Sequence, residues 1–378
     1  MKKRILQIIP TLDRAGAEKQ LCLLAGGLPR DEFEVHVCAL TRGGPLETDL
    51  SAAGVPTVVV GKRWKLDPGS FWRLKKHVAR LRPDLIHAWM FAANTYGFAA
   101  GWACGVKHIV LGQRCVDPWK SRVQLAVDGF LAQRSRCVVV NSEGVRDFYQ
   151  RHGTPAEQIR IIPNAVPMPS PSNVTRRQLL AELGLPERSR LIGSVGRLWP
   201  QKRVKDAIWA ADLLKVIRDD VHLLVIGDGP QRDRLQRFRD QVHIGDKVHF
   251  LGRRGDVPRL MPHFDLLWST SGYEGQSNVI LEAMAAGVPV VATDIAGTRE
   301  LVVPDTTGYL VPVGDRATFA KYAERLLNDA ALSARLGDAG RRRVQDEFSV
   351  EKMIERHAAL YREALRESTR PPSPPPNL

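Results

Sequence analysis

The sequence predicts an α/β protein made of two doubly wound, parallel-sheet domains, and three observations carry that prediction. Short apolar runs recur at 5–9, 35–40, 55–60, 85–89, 108–111 and 137–140, separated by helix-like stretches. That rhythm is expected of parallel strands covered by helices on both faces. The segment IIPNAVPMPSPSN then places four prolines (Pro163, Pro167, Pro169 and Pro171) where a hinge is expected. From Arg190 the alternation resumes, with strands expected near 191–195, 221–226, 248–251, 265–269 and 289–293. The expected division is an N-terminal domain over 1–165, a C-terminal domain over 166–349, a final helix over 350–368 and a disordered tail over 369–378. The tail, RPPSPPPNL, is too low in complexity to hold a packed core. A chain of 378 residues, 44% hydrophobic and 25% charged, has room for two cores of ordinary size.

Composition excludes several classes. The cysteines (Cys22, Cys38, Cys104, Cys115 and Cys137) are odd in number and form no CxxC pair. Neither a disulfide framework nor a zinc site is suggested, and a reducing, cytoplasmic setting is expected. Met1-Lys2-Lys3-Arg4 leads into only a short apolar run before Pro10, unlike a secretory signal. Ala88 to Val106 holds 19 residues without a charge, close to a bilayer span. Asn94, Thr95, Tyr96 and three glycines lower its hydrophobicity, so a buried helix is expected instead.

Charge is uneven. Residues 1–165 hold 24 Lys and Arg against 14 Asp and Glu, so +10 of the net +14 lies there. Such a half suits an anionic partner: a phospholipid surface, a polyprenyl diphosphate or nucleic acid. Within it, residues 62–82 carry eight basic side chains and one acid, Asp67. Phe71, Leu74, Val78 and Leu81 fall at helical spacing after an expected cap at Ser70. An ordinary surface helix satisfies this pattern. Trp64 and Trp72 also fit interfacial anchors on a membrane-facing basic helix.

The stretch richest in chemistry is EGQSNVILEAMAAGVPVV, residues 274–291. It reads as a loop, a helix from Asn278 that stops at Gly287, and a buried strand after Pro289. Glu282 inside an otherwise apolar helix needs donors, because a buried charge is tolerated only when paired. A polyol would supply hydroxyls and the helix N-terminus would favour an anion. Pairing of Glu282 with a structural Arg is the alternative. Upstream, SVGRLWPQK places Arg197 just after a strand and Lys202 at an expected helix start. A bidentate fork and a point charge together suit a diphosphate. Gly227 and Gly229 in VIGDGP read as pocket wall or simple tight turn. In the first domain, TLDRAGAEKQ sets Gly16 and Glu18 at the first strand-to-helix turn. His87 ends the strand DLIHAW, at the edge where such sheets bind ligands. Arg114 in GQRCVD is a candidate for a phosphate on an acceptor.

Glu274, seven residues, Glu282, followed by GYLVP at 308–312 and preceded by SVGRLWPQK, VIGDGP and FLGRR, closely resembles the family 4 retaining glycosyltransferases of the GT-B fold. The resemblance implies two Rossmann-like domains facing each other across a cleft, with the final helix crossing back to the first. It implies a catalytic set of Arg197, Lys202 and Glu274. Arg197 and Lys202 would stabilise the leaving diphosphate, and Glu274 would hold donor-sugar hydroxyls. Glu282 would hold the ribose, while Gly16, Gly275, Gln276, Ser277 and Asn278 would meet the donor's sugar or phosphates. Arg253 or Arg254 would border the base. His87 and Arg114 become acceptor-side candidates. Many relatives carry a His where this chain has Arg114 and Asp117.

No Asp-x-Asp motif stands in a suitable place, so no metal is expected, and no cofactor beyond the nucleotide-sugar donor. Retention would follow from front-face attack, the departing phosphate taking the acceptor's proton. The expected acceptor is a glycolipid or polysaccharide, with peripheral contact between the basic N-terminal domain and the inner face of an anionic cytoplasmic membrane. Nucleic acid is not expected as a partner. A sugar-nucleotide epimerase or phosphorylase of the same fold, or a non-enzymatic binding protein, are the alternatives.

Overall fold

The computed structural model describes residues 1–170 and 174–366; Pro171 of the expected hinge and the tail at 369–378 lie outside them. The chain forms two compact units, one of Met1–Asn164 plus the segment starting at Val350, the other of Ala165–Ser349.

In the first unit the strands are β1 (Lys3–Thr11), β2 (Phe33–Arg42), β3 (Thr57–Val59), β4 (Leu85–Trp89), β5 (His108–Gln113), β6 (Cys137–Val140) and β7 (Ile159–Ile161). All pair in parallel, in the order β3-β2-β1-β4-β5-β6-β7. The order reverses between β1 and β4, the switch point outside which doubly wound sheets bind ligands. β7 was not anticipated, because IRI is short and carries a charge at its centre.

The uncharged stretch becomes β4 followed directly by the helix Met90–Ala103. Asn94, Gly97, Phe98 and Gly101 on that helix are buried against the sheet. Among the described residues no helix is long and apolar enough to cross a membrane. The basic helix forms over Pro68–Leu81, but its cap is Asp67, not Ser70. Pro68 takes the first helical position, and the Asp67 carboxylate accepts from both the Ser70 amide (2.9 Å) and the Ser70 hydroxyl (2.6 Å). These bonds hold its carboxyl well below the usual range.

The helix Val350–Arg366 packs on this unit's sheet. Its Arg362 grips Glu32 with two 2.7 Å bonds, and Tyr361 meets Phe33 edge-on.

The second unit contains β8 (Arg190–Val195), β9 (Val221–Ile226), β10 (Val248–Gly252), β11 (Leu266–Ser269), β12 (Val290–Thr293) and β13 (Gly308–Val311). They pair in parallel in the order β10-β9-β8-β11-β12-β13, with the switch between β8 and β11. Successive strand residues point to opposite faces. Ile192, Leu223 and Val225 enter one apolar layer, while Leu191, Leu224 and Ile226 enter the other. Burial on both faces explains why these strands read as continuous apolar runs.

Candidate active site

The loops leaving β8 and β11, neighbours at the second unit's switch point, build the site. After β8 the chain passes Gly196 and meets the turn after β9, where Gly227 adopts φ +141°. A Cβ on Gly227 would lie 1.9 Å from the Gly196 carbonyl oxygen, so only glycine lets these two turns stack.

Arg197 is exposed and its guanidinium lies 5.6 Å from the centre of the Trp199 ring. Lys202 ends a 3-10 turn, Pro200–Lys202, and does not start the helix. The helix begins at Val204, because Arg203 takes a left-handed conformation (φ +48°, ψ +36°) between the two. That conformation costs a side-chain-bearing residue about 1–2 kcal/mol. Two contacts hold it. Asp206 accepts from Arg203 (2.7 Å) and from Arg316 (2.8 Å), and the Thr270 hydroxyl donates to the carbonyls of Lys202 (2.9 Å) and Arg203 (3.2 Å). The Gln201 side-chain amide donates to the Tyr273 carbonyl, and the Gly272 amide donates back to the Gln201 carbonyl, each at 2.8 Å. The Lys202 loop is therefore stitched to the loop that carries Glu274.

Across this seam the Lys202 ammonium sits 2.5 Å from Glu274 Oε1, which also accepts from the Ser271 hydroxyl at 2.8 Å. The two charged side chains are 19% and 11% exposed, dry enough for strong attraction yet still reachable. Behind them, the Thr293 hydroxyl donates to the Ser271 carbonyl at 2.5 Å, and Thr298 donates to the Thr293 carbonyl at 2.5 Å. Gly297 packs so closely that a Cβ would fall 1.5 Å from the Gly275 oxygen.

Gln276 and Ser277 are buried at the entrance of the helix Asn278–Ala285. Asn278 and Glu282, one turn apart on one face, are half-buried. The helix's positive end thus lies beside the Lys202–Glu274 pair. Gly196, Leu198, Lys202, Thr270, Ser271 and Ser277 line a shallow depression here.

Arg254 is committed elsewhere: it makes a two-pronged bond to Asp256 (2.8 and 2.7 Å) and reaches Glu182 at 2.8 Å. Arg253 is exposed. Thr270, Ser271, Gln201, Thr293, Thr298 and Gly297 were missed in the sequence. The hydroxyl-rich STSGYE run before Glu274 was the one available signal.

In the first unit Gly16 opens the helix Gly16–Gly27 beyond β1, and Glu18 accepts from the Thr11 hydroxyl at 3.0 Å. His87 is wholly buried in β4, its Nδ1 2.7 Å from the Tyr361 hydroxyl and its ring stacked on Trp89. Burial holds it neutral, well below the usual histidine range, and burial pushes His357 beside it down to about 3. Arg114 follows β5 and lies over Trp89, and burial lowers its guanidinium to about 9. Asp117 is taken up by Lys120 (3.1 Å) and the Tyr149 hydroxyl (2.8 Å). Lys120 also pairs with Asp128 at 2.8 Å.

Both halves of the chain match family models: Glycosyltransferase Family 4 over residues 14–168 and Glycosyl transferases group 1 over residues 175–343. The 2-deoxystreptamine glucosyltransferase of Streptomyces kanamyceticus is 31% identical over 397 residues, spanning 97% of this chain and 99% of that one. The UDP-Gal:alpha-D-GlcNAc-diphosphoundecaprenol alpha-1,3-galactosyltransferase of Escherichia coli is 25% identical over 353 residues, 88% and 90% of the two chains. Among solved structures, Anabaena HepE in complex with UDP and glucose superposes with a TM-score of 0.86 at 25% identity, covering 96% of this chain and 100% of that one. With matching family models, a full-length relative and two parallel-sheet domains, the chain belongs to the family 4, group 1 glycosyltransferases of the GT-B fold.

Proposed function

We propose that this glycosyltransferase moves a sugar from a uridine diphosphate donor to a lipid-linked or lipopolysaccharide-type acceptor, with retention of anomeric configuration and without a metal ion. The observation that carries the donor reading is the Lys202–Glu274–Ser271 contact at the β8/β11 switch point, beside a helix N-terminus. On donor binding, Lys202 turns its charge to the diphosphate together with Arg197. Preorganised cations of this kind usually supply the largest catalytic term. Glu274 accepts from the donor sugar's hydroxyls and Glu282 from the ribose. Gly275, Gln276, Ser277 and Asn278 line the sugar and phosphates. The acceptor hydroxyl attacks the face from which the diphosphate leaves. Its proton passes to a departing phosphate oxygen, so no side chain serves as general base.

Uridine is favoured because HepE holds UDP and the E. coli relative is named for UDP-Gal. That relative's diphosphoundecaprenol acceptor supports the lipid-linked class. So do Trp64, Leu66 and Trp72, which are 70%, 86% and 61% exposed on the basic first unit and suit peripheral contact with the inner face of the cytoplasmic membrane. The Streptomyces relative, named for 2-deoxystreptamine, makes 2-deoxystreptamine the competing acceptor.

The test is transfer from UDP-glucose and UDP-galactose to undecaprenyl-diphosphate-linked sugar or to 2-deoxystreptamine, with chelator present and product anomers resolved by NMR. An α-linked lipid product that is lost in Glu274→Ala and Lys202→Ala, with the fold intact, supports the reading. Full activity in either variant, or an inverted product, overturns it.

A further inference from the structure

The first unit holds a half-buried positive charge that no carboxylate among the described residues balances. Arg114 Nη1 donates only to the Ile162 carbonyl and to Asn164 Oδ1, both at a long 3.4 Å. Its Nε and Nη2 are buried and lack any hydrogen-bond partner. The guanidinium rests 4.1 Å from the centre of the Trp89 ring, and no carboxylate among the described residues pairs with it.

Hydrogen bonding around the same ring fixes the neighbouring protons. The Trp89 indole donates to Gln7 Oε1 at 2.7 Å, so the NH₂ of Gln7 is the end that faces the Tyr361 hydroxyl at 2.9 Å. Having accepted there, Tyr361 gives its own proton to Nδ1 of His87 at 2.7 Å. His87 is then the neutral tautomer with its proton on Nε2, and that atom is buried without a partner. His357 donates from Nδ1 to the Met353 carbonyl at 2.9 Å and keeps a bare lone pair on Nε2.

Three donor nitrogens (two on Arg114, one on His87) therefore remain unanswered around Trp89, together with a full positive charge. A water molecule would answer some of the donors but not the charge, and an unpaired buried charge is strongly unfavourable. The position is also where a ligand arrives. Arg114 directly follows β5, and His87 lies in the middle of the adjacent β4, next to the β1/β4 switch point. Met90, at φ +68°, turns the chain from β4 straight into its helix with no intervening loop.

We infer that Arg114 and His87 receive an oxyanion, phosphate or carboxylate, carried by the acceptor. This rests on the reading of the first unit as the acceptor side, and it narrows the acceptor to an anionic one. Each donor bonds to a ligand oxygen, and the guanidinium charge is neutralised on the face of Trp89.

The experiment is calorimetric titration of the full chain with inorganic phosphate, with and without saturating UDP, on wild type, Arg114→Met and Arg114→Lys. Binding of UDP, measured first, tests the donor site separately. Phosphate is expected to bind the UDP-saturated protein, to bind Arg114→Met at least tenfold more weakly, and to bind Arg114→Lys with intermediate affinity. Ligand-free Arg114→Met is expected to melt no lower than wild type, since the charge removed had no carboxylate to pair with. Equal phosphate affinity in Arg114→Met overturns the inference, as does an absence of phosphate binding to wild type. Displacement of phosphate by UDP also overturns it, because the oxyanion subsite would then belong to the donor.

Discussion

Replacing Lys202 by Met leaves the Glu274 carboxylate, 11% exposed, with the Ser271 hydroxyl in place of its ion pair. Two unit charges 2.5 Å apart attract by about 7 kcal/mol at an effective dielectric of 20. Most of that offsets the desolvation of the two groups, so the net loss is the cost of an incompletely satisfied charge, about 1–3 kcal/mol. Glu274→Gln removes the opposite charge and leaves an ammonium that is 19% exposed and closer to water, so its cost sits at the lower end of that range. The double variant has no stranded charge. Its stability returns to within about 1 kcal/mol of wild type, giving a coupling energy of about 1–3 kcal/mol. Urea unfolding of the four proteins measures this. Transfer behaves differently: each single change lowers turnover by about a hundredfold or more, and the double change does not restore it. The combination of recovered stability and unrecovered activity separates a catalytic pair from a structural ion pair. Additive stability costs, with coupling below about 0.5 kcal/mol, would refute the reasoning, as would recovery of transfer in the double variant.

Three other expectations follow from the same geometry. Gly227→Ala drives a methyl group into the Gly196 carbonyl at a backbone angle of φ +141°, and is expected to cost more than about 2 kcal/mol and to weaken UDP binding, both read in one thermal melt series. His87 and His357 are kept neutral by burial and take up protons on unfolding. Their contribution is complete above the unfolded histidine value near 6.5 and is lost as pH falls below it. The slope is about 1.4 kcal/mol per pH unit for each group, continuing for His357 toward its folded value of about 3. Denaturant melts at pH 7.5 and 5.5 check this, and His357→Gln should flatten the difference. Trp64→Ala with Trp72→Ala should abolish co-sedimentation with anionic phosphatidylglycerol vesicles while leaving binding of UDP intact, and unchanged sedimentation counts against the membrane reading.

Sequence patterning carried far where burial is uniform. β8, β9, β11 and β12 are covered on both faces, so each read as a continuous apolar run. The helix at Asn278 was legible because Gly287, with φ +74°, and Pro289 stop it. Patterning failed where a single contact decides. Asp67 outcompetes Ser70 because its carboxylate reaches two donors on Ser70 and the Arg63 amide besides. Lys202 falls short of its helix because Arg203 turns left-handed, which no local periodicity signals.

The site showed a similar division. Charged residues at motif spacing could be found, but their partners lie far along the chain. Lys202 meets Glu274 across 72 positions, and Thr270 grips the Lys202 carbonyl across 68. His87 gains its buried hydrogen-bond partner only from Tyr361, 274 positions later.

The most direct test of the donor site is calorimetric titration of UDP, with chelator present, into wild type and Glu282→Ala. Binding to wild type, weakened at least tenfold in the variant and accompanied by about 2.7 kcal/mol of added stability at a hundredfold excess over Kd, is the predicted result. No binding, or equal binding by both proteins, would contradict the account of the second unit's switch point as the nucleotide-sugar site.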